Sequence, residues 1–237
     1  MTASGRSVLV TGGNRGIGLA IARTLAGDGD RVAVTYRTGS PPEGLTGVRC
    51  DVTDPEQVER AFAEVTRAQG EVEVLVANAG VTRDGLLAGM PDADLTSVVQ
   101  TNLVGAARVA KHAARGMLAA RRGRLIFISS AVGLTGSPGQ ANYAAAKAAH
   151  VGLARSLAWE LGPRGITANV VTPGLIDTDM SSAITAHRRT QYLQMTPLGR
   201  SGSPDEVAAV VRFLAGPDAG YITGAVIPVS GGLGMGH

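Results

Sequence analysis

Tyr143 and Lys147 stand four residues apart in the run N-Y-A-A-A-K, and Ser130 precedes the tyrosine by thirteen positions in I-F-I-S-S. On a helix, residues four apart share a face, so a phenol and an ammonium would lie side by side. A nearby ammonium favours tyrosinate and lowers a phenol that titrates freely near ~10. A shift of about three units corresponds to roughly 4 kcal/mol. Such a phenol exchanges a proton near neutral pH. A serine hydroxyl at a strand end can donate to an oxygen on which negative charge develops. The chemistry these three suggest is proton transfer to a carbonyl oxygen. With two lysines against twenty arginines in the chain, Lys147 is conspicuous.

A second cluster opens the chain. Thr11-Gly12-Gly13-Asn14-Arg15-Gly16-Ile17-Gly18 follows the apolar run Val8-Leu9-Val10 and leads into a helical pattern. Glycine lets backbone turn sharply and approach a pyrophosphate, and a helix N-terminus supplies N–H donors and positive potential. The spacing is G-x-x-x-G-x-G, not the commoner G-x-G-x-x-G. We assign Gly12, Asn14, Arg15, Gly16, Ile17 and Gly18 to a dinucleotide. An NAD site places an acidic residue about 20 positions after the glycines, on the ribose 2′-hydroxyl. Here the second strand ends in Tyr36-Arg37 instead, and Arg15 can converge with Arg37. Two guanidiniums suit a 2′-phosphate, so NADPH is the expected cofactor. Asp51-Val52 follows a further strand, and Asp51 either holds the adenine amino group or caps the next turn. Asn78-Ala79-Gly80 allows a tight turn beside the cofactor ribose. Pro173-Gly174 opens the longest irregular stretch, from which Ile176 and Thr178 can orient the nicotinamide amide.

These residues need a scaffold that brings strand ends together. Val8–Val10, Val32–Thr35, Val48–Cys50, Val72–Val76, Leu125–Ile128, Thr167–Val171 and Val226–Val229 read as strands. Residues 16–27, 55–69, 94–120, 142–161 and 204–215 read as helices, with Asp54-Pro55 and Ser203-Pro204 as starts. Alternation of β and α implies one α/β domain over residues 1–237, a Rossmann-type doubly wound parallel sheet of about seven strands covered on both faces. Ligands bind such sheets at the carboxyl ends of the strands. Leu103–Leu118 and Ala144–Trp159 lack an obvious polar face, so each is expected to pack on a second subunit as well as on the sheet.

The chain has 237 residues, a formal net charge of +3 and 3% aromatics. No basic run is interleaved with aromatics, which argues against nucleic acid. No apolar run is long enough to span a membrane. The single cysteine, Cys50, forbids an intrachain disulfide, and the M-T-A-S-G-R-S start has no leader pattern, so a cytoplasmic protein is expected. Cys50 reads as a small core residue, and His112 and His150 as packing or interface residues. No zinc or calcium motif is present.

Together the motifs resemble those of the short-chain dehydrogenase/reductase family, in order and along essentially the whole chain. Within it, G-Q-A-N-Y-A-A-A-K-A, R-G-I-T-A-N-V-V-T-P-G-L-I-D-T-D-M and I-T-G-A-V-I-P-V-S-G-G are most similar to 3-oxoacyl-(acyl-carrier-protein) reductases. The opening run and the G-M-G-H ending resemble the actinobacterial branch. The resemblance implies reduction of a 3-oxoacyl thioester to the 3-hydroxyacyl thioester in fatty-acid elongation, with Tyr143, Ser130 and Lys147 catalytic. It adds Asn102 as a residue that holds a water linking the lysine to solvent; from sequence alone Asn102 reads as a helix N-cap. It also implies a homotetramer and an acidic acyl-carrier protein docking at Arg121 and Arg164, with Arg122 and Arg124 nearby. The motifs bind cofactor and carbonyl only, so reduction of a polyketide, sugar or steroid ketone, or a retired NADP(H)-binding sensor, stays open. The loop Val132–Gln140 offers no aromatic platform, whereas residues 181–200 bring Ile184, Tyr192, Leu193 and Met195.

Overall fold

The computed structural model describes residues 5–182 and 184–235, so the M-T-A-S start and the final Gly-His lie outside the described residues. Seven parallel strands form one sheet: β1 (Ser7–Thr11), β2 (Arg31–Tyr36), β3 (Thr46–Arg49), β4 (Val74–Ala77), β5 (Gly123–Ile128), β6 (Ile166–Pro173) and β7 (Val226–Val229). Their order is β3-β2-β1-β4-β5-β6-β7. Chain direction across the sheet therefore reverses between β1 and β4, and a crevice opens beyond the strand ends there.

The apolar runs form strands because every residue of β1, β4 and β6 is buried, as sheet covered on both faces requires. One face packs under α2 (Pro55–Gln69), α4 (Ala106–Ala120) and α6 (Ala141–Leu161), around Leu9, Leu75, Phe127 and Val170. The other packs under α1 (Gly16–Gly27) and α9 (Pro204–Ala215), around Val10, Val76, Ile126 and Val171. The expected helix starts hold. Asp54 Oδ1 accepts from Glu56 N at 2.9 Å and Gln57 N at 3.1 Å, and Ser203 forms a reciprocal capping box with Glu206.

The helix expected over 94–120 is not continuous. It divides into α3 (Asp92–Val99), a wide π-helical turn over Gln100–Gly105 and α4. Asn102 lies inside that turn and is not an N-cap. Nor is α4 apolar all round: Lys111 and Arg115 are exposed on its outer side. Its face reads as amphipathic once the true phase is known, so only α6 keeps an outward stripe of small residues, at Ala145, Ala148 and Gly152. The stretch after β6 is not structureless. It contains α7 (Asp179–Ser182) and α8 (Ala186–Gln194), and a short α5 (Val132–Thr135) follows β5. No described helix is long and apolar enough to cross a membrane.

Candidate active site

The glycine turn is built by close approach. A Cβ on Gly18 would overlap the Gly12 carbonyl and sit 2.5 Å from Asn78 Nδ2. Gly12 and Gly16 have φ of 63° and 54°, in the left-handed region that favours glycine. Asn78 at the end of β4 locks the turn: its Nδ2 donates to Thr11 O at 2.9 Å and Gly12 O at 3.0 Å. Thr11 Oγ1 accepts from Asn78 N and Ala79 N at 3.0 and 3.1 Å. The Asn78 side chain is thus spent on holding two strand ends together, and the backbone around it faces the crevice.

That crevice encloses about 660 Å³. Every residue assigned from sequence to the cofactor lines it, as do Ser130, Tyr143 and Lys147. Gly12, Asn14, Arg15, Gly16, Ile17, Gly18, Arg37, Asp51, Val52, Asn78, Ala79, Gly80, Pro173, Gly174, Ile176 and Thr178 therefore converge from segments far apart in sequence. Thr178 reaches back over the turn, with its Cγ2 3.5 Å from where a Gly16 Cβ would stand. Arg15 is exposed at the rim, and Arg37 pairs loosely with Asp51 at 3.6 Å. Asp51 also accepts from Thr53 N at 2.9 Å and Thr53 Oγ1 at 2.7 Å. Of the two roles open to it, capping the turn is visible here. These bonds and the Arg37 guanidinium hold its carboxyl below the usual range, against the opposing effect of partial burial.

At the other end, α6 is pinned over the end of β5. Ser129 Oγ donates to Lys147 O at 2.7 Å, and Lys147 Nζ donates to Ile128 O at 2.7 Å. The absence of a side chain on Gly133 lets α5 press on α6, since a Cβ there would lie 2.9 Å from Ala148 N. Lys147 Nζ is 5.8 Å from the centre of the Tyr143 ring, on the shared helix face anticipated from the i, i+4 spacing. Ser130 stands beside the phenol, where its hydroxyl eases loss of the phenolic proton.

The electrostatics differ from the sequence expectation. Burial pushes Tyr143 up to about 12, opposed by the Ser130 hydroxyl and aided by the Asp84 and Tyr192 charges. Burial also brings Lys147 down to about 7. In this crevice desolvation outweighs the attraction of the pair, because both groups lose water while the amine is bonded to a carbonyl rather than to the phenol. The tyrosine is thereby kept as a protonated donor.

Asn102 is fully buried behind the crevice and does not line it. Its Nδ2 donates to Val81 O and Val98 O at 2.9 Å each, and its Oδ1 accepts from Val81 N at 3.1 Å. Both amide hydrogens are thus in use and Oδ1 keeps one acceptor position; the main-chain carbonyl lies 2.7 Å from His150 Nε2. His150 is buried and tilted against Phe127, so it is a core residue and not an interface one. His112 stacks on Phe62, joining α4 to α2. Cys50 is buried, with its thiol pushed up to about 11.

A scan against known families finds a match over residues 12–234 to the family described as enoyl-(acyl carrier protein) reductase. The chain belongs to the short-chain dehydrogenase/reductase family. It is 56% identical over 232 residues to 3-oxoacyl-(acyl-carrier-protein) reductase MabA of Mycobacterium tuberculosis (strain ATCC 25618 / H37Rv), covering 98% of this chain and 94% of the relative. It is 44% identical over 243 residues to 3-oxoacyl-(acyl-carrier-protein) reductase FabG of Escherichia coli (strain K12), covering 99% and 100%. Members of this family work with a nicotinamide cofactor, and the crevice fits one: the glycine turn, closed so tightly that a Cβ on Gly12 or Gly18 would press on Asn78, lines it with backbone. Among the described residues no group of three or more His, Cys, Asp or Glu side chains could hold a metal ion.

Several site residues carried no signal in the sequence. Asp84 and Gln140 line the crevice, with Gln140 Nε2 at 3.1 and 3.0 Å from the two Asp84 oxygens. Arg188 on α8 and Leu233 near the C-terminus line it too. Of the apolar residues expected in the lid, Ile184 and Tyr192 reach the crevice, whereas Leu193 does not line it and Met195 is 60% exposed. Arg121 and Arg164 are not brought to the crevice. They lie at the opposite edge of the sheet, where Gly123 starts β5 and Ile166 starts β6, and Arg121 O is 3.0 Å from where a Gly165 Cβ would stand. Strand rise puts that edge roughly 25 Å from Ser130.

Proposed function

We propose that this protein is an NADPH-dependent 3-oxoacyl-(acyl-carrier-protein) reductase that converts a 3-oxoacyl thioester to the 3-hydroxyacyl thioester in fatty-acid elongation. The observation that carries the reading is the Tyr143 phenol with Ser130 and buried Lys147 beside it, in the crevice lined by the glycine turn. The names of the relatives support the substrate class.

When bound, the cofactor supplies a hydride to C3 of the ketone. Ser130 and Tyr143 hydrogen-bond the ketone oxygen and hold it facing them. As the oxygen gains negative charge, Tyr143 gives it the phenolic proton, which the raised affinity of the phenol keeps in place beforehand. Lys147, when protonated, lowers the cost of the tyrosinate left behind and has N–H groups free to bond a ribose hydroxyl. The main-chain carbonyl of Asn102 is suited to hold the water through which the proton is restored. Arg15 and Arg37 would take the 2′-phosphate; the Arg37–Asp51 contact is loose and exposed enough to yield.

The carrier-docking role of Arg121 and Arg164 takes a different form from that expected. A carrier bound at their edge is too far from the crevice of the same subunit for direct contact, so its thioester would enter a neighbouring subunit. A homotetramer, with the α6 stripe and the exposed Trp159 as contact surface, fits that arrangement.

The primary test is loss of NADPH absorbance with acetoacetyl-CoA and with carrier-linked acetoacetate. Turnover of both, faster on the carrier, is expected; tight cofactor binding without turnover would instead indicate a sensor. Turnover of free sugar or steroid ketones in preference to either thioester would move the assignment elsewhere in the family. Arg164→Glu should slow the carrier-linked substrate alone, and unchanged turnover removes the docking surface. Light scattering should read a tetramer, and a monomer removes the arrangement between subunits.

A further inference from the structure

Among the described side chains at the crevice mouth, Arg188 makes polar contacts with the most separate segments. From α8, its Nη1 lies 3.2 Å from Asp84 Oδ2, on the loop after β4. Its Nη2 donates to Ser137 Oγ at 2.8 Å and Pro138 O at 3.2 Å, on the loop after α5. The same nitrogen reaches Tyr192 OH, one turn along α8, at 3.4 Å, and Tyr192 OH is 3.0 Å from Ser137 Oγ. The two loops are themselves joined by Gly85 N donating to Gly139 O at 2.8 Å. A planar guanidinium with five donors suits this three-way junction, and an ammonium would not reproduce it.

We propose that Arg188 is a positioning residue for the reaction: it seats α8 over the substrate end of the crevice and offsets the Asp84 carboxylate beside Tyr143. The inference rests on the reading of Tyr143 as proton donor. Five groups surround the phenol. Ser130 stands at the end of β5, Lys147 on α6, Asp84 on the loop after β4, and Tyr192 and, through Asp84, Arg188 on α8. Asp84 is the anion among them, and its charge strengthens the hold of the phenol on its proton. Arg188 is the cation that pairs with it. An α8 seated on its loops therefore gives a crevice that is both closed at the mouth and less hostile to tyrosinate. The docking of a helix and the acidity of the proton donor are joined in one side chain.

The sign follows directly. The reducing enzyme needs protonated Tyr143, so activity falls as pH rises through its titration. Loss of Arg188 leaves the Asp84 charge unopposed and moves this alkaline limb to higher pH. Loss of the Asp84 charge moves it to lower pH, and loss of both charges leaves it between the two single variants. The pair is partly exposed, so the displacement is modest, roughly half a pH unit.

The experiment compares wild type with Arg188→Met, Arg188→Lys, Asp84→Asn and the Arg188→Met/Asp84→Asn double variant. For each, kcat and KM for acetoacetyl-CoA are measured across pH, together with the NADPH Kd and hydrogen exchange of residues 186–194. Arg188→Met should raise KM about tenfold, leave the NADPH Kd within twofold, shift the limb upward and speed exchange in α8. Arg188→Lys should restore the limb but not KM. The double variant should fall between Asp84→Asn and Arg188→Met. The proposal is overturned if Arg188→Met leaves the limb in place or moves it downward, if Asp84→Asn does not lower it, or if exchange in α8 is unchanged. Should wild type fail to reduce acetoacetyl-CoA, the assigned reaction is at fault, and hydrogen exchange still decides whether Arg188 holds α8 down.

Discussion

The two halves of the crevice are made of different materials. The half between β1, β2 and β4 is backbone pinned by two side chains: glycines at positive φ, strand ends bonded through the Thr11 hydroxyl and the Asn78 amide, and apolar strands buried on both faces. The half beyond β5 and β6 is a gathering of side chains, with Lys147, Tyr143 and Asp84 under a short helix tied by ion pairs. The first recognises a constant group and gains from rigidity. In the second, exposed ion pairs of this kind contribute little stability. Their function is geometric and electrostatic instead.

The largest expected effect lies in the side-chain half. Tyr143→Phe should lower kcat by about 10²- to 10⁴-fold while leaving NADPH binding nearly intact. Equal loss of both would mean that the two halves are not separable. In the backbone half, Gly18→Ala forces a methyl against the Gly12 carbonyl and Asn78. It should weaken NADPH binding and cost about 1–3 kcal/mol of stability, as overpacking does; unchanged binding and melting temperature would show that the turn can move.

Arg37→Asp tests the polar rim of the backbone half. Removing one charge-assisted contact to a 2′-phosphate is worth about 1.5–3 kcal/mol, so the preference for NADPH over NADH should fall by roughly 10- to 100-fold. An unaltered ratio of kcat/KM would remove Arg37 from the phosphate site. The smallest effect concerns stability of the cofactor-free protein. Lys147 titrates near 7 when folded and near 10.5 when unfolded, so between those values the unfolded chain binds more protons. Its contribution to stability therefore rises with pH across that window, by at most about 1.4 kcal/mol per pH unit. The difference in unfolding free energy between wild type and Lys147→Met, measured by urea at pH 7 to 9, should grow with pH. A constant difference would mean that Lys147 stays charged in the crevice.

The halves also differed in how openly the sequence displayed them. Glycine spacing after a β-branched run, a proline at a helix start and an i, i+4 pair are local rules, and each survives folding because it depends on neighbours in the chain. The cofactor crevice and the Ser130–Tyr143–Lys147 cluster were legible for that reason. Asp84, Gln140 and Arg188 were not, since nothing local distinguishes them from other polar surface residues in loops and on a short helix. The break in the helix over 94–120 was equally hidden. A wide turn at Gln100–Gly105 arises because Asn102 bonds Val81, 21 residues away, and no helical periodicity records that contact.

By itself the chain determined its alternating α/β order, its glycine-lined nucleotide turn and the pairing of a tyrosine with a lysine on one helix, since hydrophobic period and backbone sterics act over a few residues. Only the tertiary structure decided how far each group loses its water, which of them share a charge, and which arginines face the crevice rather than the far edge of the sheet. Those properties depend on distances between segments brought together by packing, and desolvation by that packing set the resting protonation of Tyr143 and Lys147 against the simple expectation from their adjacency.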